Sequence, residues 1–311
     1  MLFWIKRIAA VATVAVVTAC GGGDDHPAPV NIVQTAQANA QFSILVEAVI
    51  AADLATTLSG TGPFTVFAPT NDAFAALLTE LNLTKAQLLA DKALLTAVLT
   101  YHVLPAKVTK ADIKPGLPNT TVQGAFFKID SVESGLRITD GRNRTSNIVT
   151  ADIAASNGVI HAVDKVLLPP DKNIVQTAIA ANPEFSILVE AVTAANLGGT
   201  LSGAGPFTVF APTNAAFAAA LTELNTTKAA LFANTAFLAK VLTYHVVPGL
   251  VLKAQVPVGT PIATVQGETF SVSGALVVTD KRGRTSNIVS TDVLTSNGVI
   301  HVIDKVILPA P

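Results

Sequence analysis

Half of the 311 residues are hydrophobic and only 13% are charged, which is enough apolar surface for more than one core and excludes an intrinsically disordered chain. A formal charge of −1 provides no basic field that could hold phosphates, so we expect no nucleic-acid partner. A chain of this length favours about two domains.

The first 19 residues have the pattern of a signal peptide. Lys6 and Arg7 precede an apolar run at 8–19 that is too short to cross a bilayer. The junction VTAC, which ends at Cys20, resembles a bacterial lipobox, in which the cysteine carries the lipid. Cys20 is the only cysteine of the chain, so it can form no internal disulfide. We therefore predict a lipoprotein signal peptide at 1–19 and lipidation at Cys20.

Residues 20–29, CGGGDDHPAP, have the composition of a flexible tether. Ten residues reach at most about 35 Å, so the first domain is expected to stay close to the membrane that holds Cys20. Glycine after the cysteine resembles the outer-membrane sorting pattern. The expected location is therefore the bacterial cell envelope, lipid-anchored at the outer membrane on its periplasmic or surface face.

One stretch occurs twice and divides the rest of the chain. PFTVFAPTN runs from Pro63 to Asn71 and again from Pro206 to Asn214, an offset of 206 − 63, or 143 residues. The shorter stretches TYHV, RTSNIV and SNGVIH also occur in both copies and in the same order. This period is too long for a solenoid repeat, so each copy is expected to be a complete domain, at 30–169 and 170–311.

The first half of each copy has helical periodicity. Phe42, Leu45, Val46, Val49 and Ile50 follow the spacing of one helix face, and the second copy repeats the pattern. In that copy, the dipeptide at 182–183, Asn-Pro, predicts the start of the helix.

The next elements of the first copy are a strand and three helices. A short β-branched and aromatic run at 64–68 predicts a buried strand, and a second helix is expected from Asn71. A capping box at Thr84 opens a short third helix, and 94–101 belong to a fourth.

The second half of each copy has the pattern of strands. Asp140-Gly141 predicts a hairpin between LRIT and RTSNIV, and Asn157-Gly158 predicts another turn. Helices followed by strands favour a segregated α+β domain. Only residues 169–172 separate the copies, so the two domains are expected to abut.

Three ordered motifs in each copy resemble those of the fasciclin domain family. They are TVFAPTNDAF and TVFAPTNAAF at 65–74 and 208–217, the Tyr-His pairs at 101–102 and 244–245, and NGVIHAVDKVLL and NGVIHVIDKVIL at 157–168 and 297–308. The resemblance implies two wedge-shaped β-sandwiches with helices packed beside them. It also implies a role in cell adhesion or surface contact, with no established catalysis and no cofactor.

The polar motif residues are interpreted as structural. Thr70 and Asn71 are predicted helix caps, and the remaining structural candidates are Tyr101, His102, His161, Thr213, Asn214, Tyr244, His245 and His301. The four histidines follow apolar residues at helix or strand spacing, which favours neutral, hydrogen-bonded core histidines over metal ligands or catalytic bases.

Two features remain as candidates for a binding surface. Hairpin tips are expected to expose Arg142, Arg144, Arg282 and Arg284 to an acidic or polysaccharide surface, although solvated turns are the simpler interpretation. Asp72 is the other candidate, because the second copy has Ala215 at that position.

Three classes of function follow. The leading hypothesis is a non-enzymatic, membrane-anchored adhesion or interaction protein that contacts a protein or polysaccharide surface. An envelope carrier or structural protein that holds a small hydrophobic ligand is the alternative. A hydrolase that uses His102 or His245 is the least favoured class, because no nucleophile, base and orienting partner can be assembled from the motifs.

Overall fold

The computed structural model describes residues 30–311, which form two α+β domains of the same design. The predicted signal peptide, the tether and Cys20 lie outside the described residues. Within residues 30–311, no helix has the length and apolar character needed to cross a membrane.

Helices form the first part of each domain, as the periodicity predicts. The first domain contains α1 (Ile32–Gln37), a 3-10 turn (Ala40–Phe42), α2 (Ser43–Ala51), α3 (Ala55–Leu58), α4 (Asn71–Leu81), α5 (Lys85–Ala90) and α6 (Lys92–Tyr101). The second contains α7 (Ile174–Ala180), α8 (Ser186–Ala194), α9 (Gly198–Leu201), α10 (Asn214–Glu223), α11 (Lys228–Ala233), α12 (Thr235–Tyr244) and a 3-10 turn (Lys253–Gln255).

Strands dominate the second part of each domain. Those of the first are β1 (Phe64–Pro69), β2 (Val103–Leu104), β3 (Pro118–Thr120), β4 (Phe126–Val132), β5 (Gly135–Thr139), β6 (Thr145–Ala155) and β7 (Gly158–Val163). Those of the second are β8 (Phe207–Pro212), β9 (Val246–Pro248), β10 (Ile262–Ala263), β11 (Thr269–Val272), β12 (Val277–Thr279), β13 (Thr285–Thr295) and β14 (Gly298–Ile303).

Each domain has seven strands in one hydrogen-bonded order. The order is β2-β1-β7-β6-β5-β4-β3 in the first domain, and the second domain repeats it. The pair β1–β7 is parallel and the other neighbours are antiparallel. The long strand β6 pairs with β5 through its first residues and with β7 through the rest, with register shifts that let the sheet change direction.

The central strands have a core on each face, which is why they read as continuous apolar runs. On one face, Val66 and Ile160 pack beneath the helices together with Leu45 and Leu99. On the other face, Phe67 of β1 meets Phe127 of β4 edge to face, with ring centroids 5.0 Å apart. The sheet therefore curls on itself, which confirms the predicted α+β fold in each domain.

Two local predictions about helices are wrong. Helix α8 begins at Ser186, three residues beyond the predicted start at Asn182-Pro183. The side chain of Asn214 accepts the backbone N–H of Ile187 at 3.0 Å and so fixes the first turn of the helix at this position. Ile50 is 56% exposed, because the buried face of α2 is centred on Leu45 and Val49 and lies away from Ile50.

The turn before β7 ties the sheet to the helices. The Asn157 side chain donates to the carbonyls of Leu58 and Gly60 at 2.8 and 2.7 Å, and it accepts the N–H of Ile32 at 2.9 Å. A Cβ on the next residue, Gly158, would lie 2.0 Å from the backbone oxygen of β1, so only glycine fits there. The predicted turn is thus a junction of three segments, which the sequence does not reveal.

The two domains meet through side chains of the first domain that reach the second. Lys128 of β4 places its Nζ 2.8 Å from Asp292 Oδ2. Asn143 donates to the carbonyl of Leu294 at 3.0 Å and accepts its N–H at 2.7 Å. Phe126 packs against an apolar cluster around Leu294. The short linker and these contacts agree with the prediction that the domains abut.

Candidate functional site

The first repeated motif is a strand that leads into a helix, and its polar residues hold the helix ends. Thr70 caps α4 by accepting the N–H of Ala73 at 3.2 Å, as predicted. Asn71 has a different role from the predicted cap: its side chain accepts the N–H of Ile44 at 3.0 Å and donates to the carbonyl of Ala40 at 2.9 Å. It therefore fixes α2 against α4.

The second domain repeats both roles. Thr213 accepts the N–H of Ala216 at 3.1 Å, and Asn214 donates to the Ser186 hydroxyl at 2.9 Å. In both domains, the threonine and asparagine side chains of this motif therefore form hydrogen bonds with the protein itself.

The Tyr-His motif closes the helical half of each domain. His102 donates from Nδ1 to the carbonyl of Val98 at 2.7 Å and accepts the N–H of Leu167 on Nε2 at 2.8 Å. Both ring nitrogens are thereby paired, and the neutral Nδ1–H tautomer satisfies both contacts. His245 repeats the arrangement with Val241 and Ile307.

Burial sets the protonation state of this histidine pair. Loss of solvent lowers the pKa of both His102 and His245 to about 4, and the bond to a carbonyl offsets the shift only in part. The neighbouring tyrosines are also engaged: Tyr101 donates to the carbonyl of Phe126 at 2.7 Å and Tyr244 to that of Thr269 at 2.9 Å. At neutral pH the motif is uncharged.

The third motif places a histidine on each parallel strand. His161 donates from Nε2 to the carbonyl of Val108 at 2.9 Å and accepts the N–H of Asp152 on Nδ1 at 3.2 Å. His301 makes the same two contacts in the second domain. Burial lowers the pKa of both rings below the usual value. All four motif histidines are thus buried and hydrogen-bonded, as the sequence predicts.

The predicted arginine tips depart from expectation, because the hairpins fold back onto the domain. Asp140 accepts the backbone N–H groups of Arg142, Arg144 and Leu168 at 2.9–3.0 Å, so the turn is held against the end of the domain. Burial raises the pKa of Asp140 above its usual range. Arg142 donates to the carbonyl of Pro169 at 3.3 Å. Asp280 organises the second hairpin in the same way.

The expectation of free cations at these tips is wrong for three of the four arginines. Arg142 pairs with Asp171 at 3.4 Å, and its side chain is 31% exposed. Arg144 pairs with Glu80 at 3.2 Å and its side chain is only 20% exposed, while Arg284 pairs with Glu223 at 2.7 Å and is 18% exposed. Arg282 donates to the carbonyl of Pro309 at 2.8 Å. The sequence places these side chains at turns, but the partners come from distant helices and chain segments.

Asp72 lies where the two domains differ, as predicted. It is an exposed residue in the first turn of α4, and Ala215 is exposed at the matching place of α10. A carboxylate at this position interacts favourably with the helix N-terminus. The predicted binding role of Asp72 stays a prediction.

Each helical core contains a small apolar cavity. The cavities measure about 30 Å³ each, and they lie in equivalent places beside His102 and His245. Within residues 30–311, no group of three or more His, Cys, Asp or Glu side chains converges to hold a metal ion.

Comparison with known proteins identifies the repeated unit. A model of the family described as "Fasciclin domain" matches residues 40–169 and 183–309. Protein sll1483 of Synechocystis is 45% identical over 143 residues, which cover 45% of this chain and 73% of that protein. The transforming growth factor-beta-induced protein ig-h3 of Sus scrofa is 31% identical over 255 residues, or 81% of this chain and 35% of that protein.

The second of these relatives is much longer than the matched region. The chain spans about a third of the length of ig-h3. Among solved structures, the FAS1 domain pair from the insect cell adhesion molecule fasciclin I has 20% identity and a TM-score of 0.43, and the match covers 84% of this chain and 95% of that one.

Proposed function

The chain belongs to the fasciclin domain family, and from this premise we propose that it is a non-enzymatic, membrane-anchored adhesion or surface-interaction protein of the bacterial cell envelope. The observation that carries the proposal is the joining of two complete fasciclin domains through a buried polar contact between Lys128 and Asp292. Two similar domains held together can contact a repetitive surface at two points, which raises avidity without new contacts.

The state of the motif side chains supports a non-enzymatic role. A general base must be within hydrogen-bond reach of the proton that it removes. In His102 and His161, both ring nitrogens are already paired with the backbone. The hydrolase hypothesis therefore requires these histidines to abandon contacts that hold the fold together.

The carrier alternative receives no support from the cavity dimensions. Small-molecule sites usually measure about 300–1,000 Å³. The apolar cavities of the two domains measure about 30 Å³ each, which is room for a water-sized group. Adhesion therefore remains the function that the geometry supports best.

Deletion of the gene tests the proposal. We expect cells that lack the protein to attach less to surfaces or to one another, and the wild-type gene to restore attachment. A Cys20→Ser variant, which lacks the predicted lipid acceptor, should be produced but leave the membrane fraction and fail to restore attachment. Unchanged attachment of the deletion strain on several surfaces of different charge would contradict the proposal.

A further inference from the structure

A polar cleft lies at the junction of the two domains. Its walls are β4, β5 and residues 115–116 of the first domain, and β13 and residues 253–254 of the second. Its volume is about 480 Å³, within the range of small-ligand sites. Because each wall belongs to a different domain, the cleft exists only in the pair.

The two carboxylates in this cleft, those of Asp130 and Asp292, share the single ammonium of Lys128. Asp292 accepts Lys128 Nζ on Oδ2 at 2.8 Å and the backbone N–H of Lys253 on Oδ1 at 2.7 Å. Lys128 Nζ also lies 3.3 Å from Asp130. The side chains of Lys128 and Asp292 are 13% and 3% exposed, so this pair is part of the interface and is not open to a ligand.

Two cations of the cleft form no ion pair within residues 30–311. The Arg137 guanidinium comes from the first domain and the Lys253 ammonium from the second, and both residues are exposed. Within residues 30–311, neither side chain has a carboxylate oxygen within 4.0 Å. With three cations (Lys128, Arg137, Lys253) against two carboxylates (Asp130, Asp292), the lining has a net charge of +1, and each wall contributes one cation that forms no ion pair in this part of the chain.

The cationic pairing is specific to the junction. On β5, Arg137 lies opposite Asp130 of β4 and Asn147 of β6, and the residue that faces the matching Asn287 in the second domain is Val277. Lys253 does have a counterpart, Lys110, whose backbone N–H is likewise bound by Asp152 at 2.8 Å. Lys110 does not line this cleft. The repeat therefore provides a matched lysine outside the site.

We propose that this cleft binds an acidic polysaccharide, with Arg137 and Lys253 each holding an anionic group of the chain. A guanidinium binds a carboxylate or sulfate through two parallel hydrogen bonds, and an ammonium acts as a point charge. Two cations on opposite walls suit a polymer with repeated charge. The lining contains no aromatic side chain for stacking on a neutral sugar. This inference rests on the proposed function in surface contact, and it specifies an acidic polysaccharide as the surface component that is bound.

Binding of soluble polymers to the full-length protein in detergent tests the site. The probes are polygalacturonate, dextran sulfate, neutral dextran and poly-glutamate. We expect an acidic polysaccharide to bind with an affinity that falls with salt. The double variant Arg137→Val, Lys253→Gln should lose about tenfold or more in affinity, because it removes both charged contacts with the polymer. The matched control Lys110→Gln should change affinity less than twofold.

The measurements distinguish loss of the binding site from a wrong ligand class and from a variant that fails to fold. Both substituted side chains are exposed, so the melting temperature of the double variant should stay at the wild-type value; Arg137→Gln alone serves if the double variant does not fold. Equal binding by the wild type and these variants, an equal loss in Lys110→Gln, or equal binding of poly-glutamate or neutral dextran would overturn the proposal.

Attachment assays distinguish this site from the proposed function. If the deletion strain attaches normally while the purified protein binds acidic polysaccharide through Arg137 and Lys253, the adhesion role fails and the site stands. If deletion reduces attachment but the double variant restores it in full, the adhesion role stands and the cleft is not its site.

Discussion

The two domains make the same buried hydrogen bonds, but they have different residues at the positions where they contact each other. The motif histidines, the asparagines before β7 and β14 and the hairpin aspartates make the same contacts in both copies. At the junction, the first domain contributes Phe126, Lys128 and Asn143, whereas the second has Thr269, Ser271 and Gly283 at these positions. The shared contacts therefore maintain the fold, and the differences define an interface with a fixed direction.

The surface of the second domain that contacts the first, here called the receiving face, also differs from its counterpart in the first domain. The second domain offers the buried Leu252 and Leu294 to the junction, where the first domain has Thr109 and Ala154. Asp152, the counterpart of Asp292, binds the N–H of Lys110 and has no lysine partner within residues 30–311. Because the first domain lacks the apolar receiving face, the interface favours one pair and does not favour a longer head-to-tail array.

Of the changes considered, removal of Lys128 at the junction should have the largest effect on stability and on the coupling between the domains. Lys128→Ser introduces the residue of the second domain and leaves Asp292 buried without its cation, which should cost about 3 kcal/mol. We expect the two domains to unfold in separate transitions during urea denaturation monitored by circular dichroism.

The matched double variant Lys128→Ser, Asp292→Asn should recover part of this loss, because the amide is neutral and still accepts the N–H of Lys253. Ser271→Lys is the control, since it places a lysine at the matching position of β11 in the second domain, which makes none of the junction contacts described above. A single, unshifted transition in Lys128→Ser would show that the ion pair does not couple the domains.

Acid should weaken both domains to a similar extent. The folded pKa of His102 and His245 is about 4, below the ordinary 6.5, so the unfolded chain takes up protons first as the pH falls. Stability from these groups is complete above about pH 6.5, declines down to about pH 4 and then levels off. At pH 5 the expected loss is about 2 kcal/mol per domain. His161 and His301 shift in the same direction.

Melting temperatures at pH 7 and pH 5, at constant ionic strength, measure this loss. We expect a decrease of roughly 5 °C or more. His102→Gln should reduce the pH dependence of the first domain alone, with the second domain as an internal reference. Equal melting temperatures at the two pH values would rule out the neutral-histidine interpretation.

Exchange of the first-turn residues should have the smallest effect. Asp72→Ala removes a carboxylate from the N-terminus of α4, and Ala215→Asp adds one to α10. The expected changes in melting temperature are about 1–2 °C in opposite directions, because the charges are exposed. The same two variants in the attachment assay measure whether Asp72 contributes to binding; shifts of the same sign would contradict the helix-dipole explanation.

Local patterns in the sequence determined the elements and the place of the motif histidines. The spacing of His102 after Leu95, Val98 and Leu99 places it at the buried end of a helix, and its bond to Val98 follows from helix geometry alone. Thr70 and the Thr84 capping box act within four residues of themselves, so they too could be predicted. The repeat fixed the number of domains.

The partners across the fold were decided by the tertiary structure. The second bond of His102, to Leu167, spans 65 residues, and Asn157 joins segments 97–125 residues away. Arg144 is a turn residue by sequence, yet it pairs with a carboxylate of α4. Sequence spacing reports periodicity within an element, whereas these contacts depend on how the chain returns to itself. Lys128, Asp292 and the cleft beside them therefore became visible only when the two domains were placed together.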